Sequence, residues 1–176
     1  MEKNYLYDME WILLGHNNRV HHTAIIYDNV RLGHGNIIGP YCVIGSNGEI
    51  RGKDYNSFKG TVEIGDDNVI SEHVTIQRPF DADCKTIVGS NNIIMAHTHI
   101  GHDAVVGDNT EICTSSVLGG YCIVENGVKL KLKCVVRNRI TIGENSIIGM
   151  GSAVISNIEP NSIAYGSPAK VVKKIE

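Results

Sequence analysis

The chain is short of the residues most folds of its length build a core from. It has seven Tyr, two Phe and one Trp, so aromatics are only 6 % of its 176 residues. A core of large rings is excluded, and what fills the interior must be small or aliphatic. No apolar run exceeds a few residues, which excludes a membrane-crossing helix. Basic residues are in no surplus: sixteen Lys and Arg face nineteen Asp and Glu, a formal charge of −3. Neither nucleic acid nor an anionic membrane is an expected partner. The five cysteines, at 42, 84, 113, 122 and 134, are odd in number and contain no CxxC pair. That argues against a disulfide framework and for a reducing cytoplasm. The opening MEKNYLYDMEWILLGHN has acids inside its apolar stretch and no small-residue cleavage site, so a secretory signal is not expected.

What is present in excess is glycine, nineteen of them, and a repeat. Every sixth residue is aliphatic at Val20, Ile26, Leu32, Ile38, Ile44 and Ile50, and again at Ile64, Ile70 and Ile76. The register then runs from Val88 through Ile94, Ile100, Val106, Ile112, Leu118, Val124, Leu130, Val136, Ile142 and Ile148 to Val154. The next residue is often Gly, and four places after the aliphatic sits a small or β-branched residue such as Cys42, Thr98, Ala104, Cys122, Cys134 or Ser146. A period of six excludes both a helix and a simple alternating strand. It fits a short strand followed by a tight corner, with the aliphatic inward, Gly allowing the turn and the small residue where the corner crowds the axis. Three such strands close a triangular coil of eighteen residues, and about seven coils at about 4.8 Å each give a prism of roughly 34 Å.

The expected class is therefore all-β: a parallel β-helix of about seven triangular coils over residues 19–158, with an N-terminal cap over 1–18 and a tail over 159–176. Tyr5, Leu6 and Trp11–Leu14 are expected to cover the open top coil. An external loop is expected near 51–61 and a second irregular corner near 78–86, where the register gains two residues and where charges replace aliphatics. Ile50, and by phase Ala82, stay within the register on this reading. Pro168 would start a short C-terminal helix with lysines near its end.

Three histidines fall in IIMAHTHIGHDAVVGD: His97, His99 and His102, with Asp103 following. None occupies an inward position, so all three project from the prism. On a repeat whose outward positions tolerate anything, plain surface imidazoles are the competing reading. Coil arithmetic adds geometry, since residues eighteen apart stack one strand spacing apart, about 4.8 Å. Gly120 then lies beside His102 and Tyr121 beside Asp103. A glycine beside a projecting imidazole offers an unshielded N–H of the kind an oxyanion needs.

The hexapeptide L/I/V-G-x-x-small-x resembles the left-handed β-helix acyltransferase superfamily, and the hand is implied by that resemblance alone. VEIGDDNVISEHVTIQR, IVGSNNIIMAHTHIGHDAVVGD and VLGGY are similar to the UDP-N-acetylglucosamine acyltransferase of lipid A synthesis. The resemblance implies His102 as catalytic base, Asp103 as the acid that raises its basicity, and Gly120 as oxyanion donor. It implies acceptor contacts at His99 and Tyr121, where that family usually has His for Tyr121. The loop residues Asp54 and Tyr55 join the expected acceptor contacts. The ending SNIEPNSIAYGSPAKVVKKI resembles the G/N-x-PAK tail of coenzyme A-dependent hexapeptide acetyltransferases. That implies cofactor contacts at Met150, Gly166, Ser167, Ala169 and Lys170, with bulky Met150 favouring a short acyl group.

The function implied is acyl transfer from acetyl-CoA, or another short acyl-CoA, to the amine of a nucleotide-linked amino sugar, in a homotrimer with sites between subunits. O-Acetylation of a simple sugar or small alcohol is the alternative. Another class competes on the same fold: a γ-class carbonic anhydrase with zinc between subunits. His97 and His102 have its five-residue spacing, but the third ligand position falls on Gln77, with His73 four residues early. Gln is a poor zinc ligand and catalytic zinc takes three protein ligands, so no metal is expected. Cys113 is a conceivable nucleophile without an evident base beside it.

Overall fold

The computed structural model describes residues 11–14 and 17–175. Nearly every element in it is a strand, most of them two residues long, and they stack in parallel on three faces. The first face carries Ile37–Ile38, Val69–Ile70, Ile93–Ile94, Glu111–Ile112, Lys129–Leu130 and Ile147–Ile148. The second has seven strands, from Ile25–Ile26 to Ala153–Val154, and the third six, from Val30–Leu32 to Thr141–Ile142. Inward residues meet their own kind one coil on: Ile94 pairs with Ile112, Ile100 with Leu118, Val106 with Val124. Ile38, Ile44, Ile76, Ile100, Leu118 and Leu130 are fully buried, a core of stacked aliphatics with no ring in it. The parallel β-helix expected from the six-residue period is the fold, with seven coils.

The period explains the strands but not the glycines. Gly101 and Gly119 have ordinary backbone angles, and the left-handed conformation falls two residues later, on Asp103 (φ 59°) and Tyr121 (φ 61°). What requires glycine is contact between coils: a Cβ on Gly119 would lie 2.7 Å from the backbone N of Asn138. The expectation that Gly makes the turn is corrected accordingly. The turn is made by the third residue of the corner, where Asn and Asp recur (Asp67, Asn91, Asp103, Asn109, Asn145) because their short polar side chains tolerate that conformation.

One corner is lined inside by polar side chains that the sequence reading passed over. Asn18, Asn36, Asn68 and Asn92 stack in successive coils and are almost fully buried. Asn36 donates to Asn18 Oδ1 at 3.0 Å, Asn68 to Asn36 Oδ1 at 2.9 Å, and Thr110 Oγ1 to Asn92 Oδ1 at 2.7 Å. Each Asn Oδ1 also accepts a main-chain N–H of the next coil, from Asn36, Asn68, Asn92 and Thr110 in turn, a partner that a buried corner amide otherwise lacks.

Two insertions leave the prism at the corner between the second and third faces. Ladder partners are 18 residues apart in most coils, but 32 apart across the second coil and 24 across the third. Ile50 is only half-buried and lies outside any strand, and Ala82 is exposed. Both kept the numerical register without taking part in it: Ile64 and Val88 fill the inward sites. The two insertions pack on each other. Lys59 N donates to Phe80 O at 3.0 Å and Gly60 N to Pro79 O at 3.1 Å, Phe58 is buried edge-on against Phe80, and Lys53 Nζ sits 4.0 Å over the Phe80 ring.

The ends differ from expectation in one respect. Trp11–Leu14 pairs antiparallel with Asn18–His21 at the start of the first face; Tyr5 and Leu6 lie outside the described residues. The expected C-terminal helix is a hairpin instead. Ser162–Gly166 adds to the first face beside Ile147–Ile148, and Ala169–Lys174 folds back on it. The open strand edge at the bottom of the prism satisfies more backbone groups by pairing than a one-turn helix would.

Candidate active site

The corner after His99–Ile100 places four consecutive residues with separate tasks. Ile100 points inward, Gly101 lets the next coil approach, His102 projects, and Asp103 takes the left-handed turn. His102 Nδ1 lies 2.8 Å from Asp103 Oδ2. A carboxylate accepting at Nδ1 fixes the tautomer with its proton there, which leaves the Nε2 lone pair as the basic site. Asp103 is held in turn, its N–H donating to Thr86 Oγ1 at 2.8 Å.

One coil on, Tyr121 N donates to His102 O at 3.0 Å, which puts Gly120 beside the imidazole as the eighteen-residue spacing expects. The approach is close: a Cβ on Gly120 would stand 2.7 Å from His102 Cε1 and 2.8 Å from Nε2. Among the described residues the Gly120 N–H meets no acceptor. The Tyr121 ring stands edge-on to His102 at 5.1 Å, and the Arg139 guanidinium lies 4.1 Å over that ring. Burial first, and the nearby Asp103 carboxylate second, hold the Tyr121 phenol above its usual range.

The sequence reading had His102 projecting into the open. It is only 9 % exposed, because the first insertion begins against it: a Cβ on Gly48 would meet His102 Cβ at 2.8 Å. A cleft of about 230 Å³ remains, lined by Glu49, Gln77, His99, His102, Gly120 and Asn138 with the backbone between them. His99 is tied by Nδ1 to Thr75 Oγ1 at 2.7 Å, and burial holds its pKa below the ordinary histidine value.

His99, His102, Asp103, Gly120 and Tyr121 thus come together. Asp54 and Tyr55 do not line this cleft. Asp54 caps the turn Tyr55–Ser57, accepting from Asn56 N at 3.1 Å and from Ser57 Oγ at 3.2 Å, and Tyr55 is exposed on the outer loop. Met150, Gly166, Ser167 and Lys170 are exposed at the bottom of the prism, and Ala169 is buried there. Gly166 N donates to Ser152 Oγ at 3.1 Å. Met150 sits on the corner between the first and second faces and His102 on that between the second and third, so one chain does not unite them. His97, across the second face from His102, stacks on His73 at 4.7 Å, and His73 on Tyr41 at 5.2 Å. The Cys113 thiol, beside Glu111 Oε1 at 3.3 Å, is pushed up to about 11 by burial and by that carboxylate, the reverse of what a nucleophile needs. Glu49, Asn138 and Thr86 went unread in the sequence, and Gln77 was weighed there only as a zinc ligand. Two of these carried a signal in the coil spacing: Asn138 lies eighteen residues after Gly120 and Thr86 seventeen before Asp103.

Residues 85–120 match the family described as bacterial transferase hexapeptide (six repeats). Among sequence relatives, an O-acyltransferase of Synechocystis sp., named for transfer from acyl-carrier protein to UDP-N-acetylglucosamine, is 30 % identical over 148 residues, 84 % of this chain and 53 % of that protein. The chain spans about half the length of the sequence relatives it matches. The crystal structure of LpxA, a UDP-N-acetylglucosamine acyltransferase from Bacteroides fragilis, superposes with a TM-score of 0.84 at 31 % identity, covering 89 % of this chain and 61 % of that one. PerB from Caulobacter crescentus, solved with CoA and GDP-perosamine, shares the fold at a TM-score of 0.61 and 22 % identity, covering 89 % and 57 %. The prism shares the left-handed β-helix of these structures.

Proposed function

We propose that this chain, a hexapeptide-repeat β-helix similar to the UDP-N-acetylglucosamine acyltransferases, transfers an acyl group from a thioester to a nucleotide-linked sugar. In its finer form the donor is acetyl-CoA and the acceptor group an amine. The observation that carries the reading is the pairing, in one cleft, of a His102 Nε2 left free by Asp103 with a Gly120 N–H that meets no acceptor among the described residues. An acyl transfer needs those two groups and no covalent intermediate. The acceptor's amine attacks the thioester carbonyl carbon as His102 Nε2 takes its proton. The carbonyl oxygen, now negative, is met by the Gly120 N–H. Collapse expels the thiolate, which recovers the proton from His102. A positioned base is worth about 10²–10⁴-fold and one oxyanion donor about 10²–10³-fold.

The acceptor class is supported by the nucleotide sugars named for the relatives, and the CoA donor by PerB and by the Gly166–Lys170 tail. The donor named for the sequence relatives is acyl-carrier protein, so the donor is a point to test. A homotrimer accounts for the separation of the tail from His102, since a neighbouring prism can set its tail-bearing corner beside this cleft. The outward apolar residues Ile25, Val117 and Val135 of the second face suit such a neighbour. Five free cysteines, three of them deep in the core, suit a reducing cytoplasm.

The test is thiol release across acetyl-CoA, longer acyl-CoAs and acyl-carrier-protein thioesters, each against UDP-, GDP- and dTDP-linked sugars with and without an amine. Release from acetyl-CoA with an amino sugar, lost in His102→Ala, is the expected result. Transfer only from acyl-carrier protein to a hydroxyl would replace the finer reading with the reaction named for the relatives.

A further inference from the structure

The cleft holds a charge that the mechanism above does not use. Glu49 follows Gly48, whose backbone lies against His102, and it lines the same cleft as His99, His102 and Gly120. The two carboxylates near the base are in different situations. Asp103 is committed, holding Nδ1 of His102 while Thr86 holds its backbone. Glu49 is exposed, and among the described residues it has neither an ion pair nor a hydrogen bond. Its charge acts on His99, whose proton affinity it raises against the effect of burial. No Lys or Arg is among the residues that line the cleft.

An uncompensated carboxylate is a poor neighbour for the acceptor class proposed above unless that acceptor brings a positive charge. A nucleotide-linked sugar carries a diphosphate, and a second anion beside its sugar end repels it. An amino sugar is different, since its ammonium is positive at neutral pH and sits at the reacting end. We propose that Glu49 is the anchor for the acceptor's ammonium, and that it makes this site select amino sugars over their hydroxyl counterparts. The inference rests on the acyl-transfer reading of the His102 site and names the acceptor group within it.

The step balances without a proton passing through Glu49. The ammonium binds against the carboxylate and gives one proton to water, which reaches this exposed position. The neutral amine then forms the C–N bond as His102 Nε2 takes its second proton, the C–S bond breaks, and the thiolate leaves with the proton from His102. Because Glu49 is solvated, its pull on the ammonium is that of a partly screened pair, enough to concentrate the acceptor without holding it protonated.

The experiment compares wild type, Glu49→Gln and Glu49→Asp on two acceptors that differ only in carrying an amine or a hydroxyl at the same sugar carbon. Glu49→Gln is expected to lower kcat/KM for the amine by about 10- to 100-fold, chiefly through KM, and to leave the hydroxyl acceptor unchanged or improved. Glu49→Asp should keep part of the preference, and KM for the acyl donor should not move. Equal losses on both acceptors would show a structural role and overturn the proposal, as would no loss, or a wild type that prefers the hydroxyl. If wild type transfers to neither, the acyl-transfer reading itself has failed. Calorimetric binding of the same two nucleotide sugars then decides: equal affinity for both overturns the anchor, and an amine preference lost in Glu49→Gln sustains it.

Discussion

Adding one methyl group at Gly120 separates the chemistry of this corner from its architecture. In Gly120→Ala the new Cβ would stand 2.7 Å from His102 Cε1 and 2.8 Å from Nε2, with Nδ1 at 3.2 Å. Carbon contacts settle at about 3.5–4.0 Å, so the imidazole must retreat by about 1 Å. The three atoms nearest the methyl all belong to that ring, and the backbone of Gly120 is in an ordinary conformation. The whole displacement therefore falls on the base and on its 2.8 Å bond to Asp103. A misplacement of about 1 Å at a reacting group can cost about 10²-fold, and losing a positioned base about 10²–10⁴-fold.

The neighbouring Gly119→Ala is the contrast. Its Cβ would meet Asn138 N at 2.7 Å and Val136 O at 3.0 Å, main-chain atoms of the next coil that cannot step aside. Overpacking of that kind costs about 1–3 kcal/mol. The expected outcome is a double dissociation: Gly120→Ala loses at least about 10²-fold in kcat, with a thermal midpoint near that of wild type. Gly119→Ala loses stability. Thiol-release kinetics and thermal denaturation on both variants check it. A Gly120→Ala protein with wild-type turnover, or one as destabilised as Gly119→Ala, would refute the placement of the base.

Asn68→Ala should cost at least about 2 kcal/mol in denaturant unfolding, because Asn92 N and Gly89 O each lose their partner in the core at about 1–3 kcal/mol apiece, while Asn36 Oδ1 keeps the Asn68 N–H; a loss under about 1 kcal/mol would refute the polar ladder as a stabilising element. His99, depressed by burial, should titrate in NMR below its ordinary 6.5. Its neutral form therefore supports the fold fully above that value, and the support declines as pH falls below it; a midpoint at or above 6.5 would refute the burial argument. Cys113, raised to about 11, should alkylate slowly at neutral pH, and Cys113→Ala should keep acyl transfer; rapid labelling or lost turnover would reopen it as a nucleophile. Deleting the tail from Gly166 should weaken CoA binding more than acceptor binding, and an unchanged CoA affinity would remove those residues from the donor site.

The prism was legible in the sequence because its cause is local and repeated. An inward aliphatic every sixth residue can be satisfied only by a coil that turns at fixed intervals, and eighteen-residue spacing then places Gly120 beside His102 and Tyr121 beside Asp103 without any coordinates. Where the repeat breaks, counting failed. Ile50 and Ala82 kept the phase but lie outside the coils, since register arithmetic cannot distinguish an inward strand position from an insertion of matching length. The tail was misread as a helix because AKVVKK has no strong period, and pairing with an open strand edge decides its form. The tertiary structure alone determined which corner each group occupies, that Gly48 covers His102, that Glu49 lines the cleft, and that Met150 and Gly166–Lys170 lie on another edge of the prism. These are matters of which residues from separate coils and insertions meet at one corner. The insertions, unlike the repeat, carry no period from which that meeting can be computed.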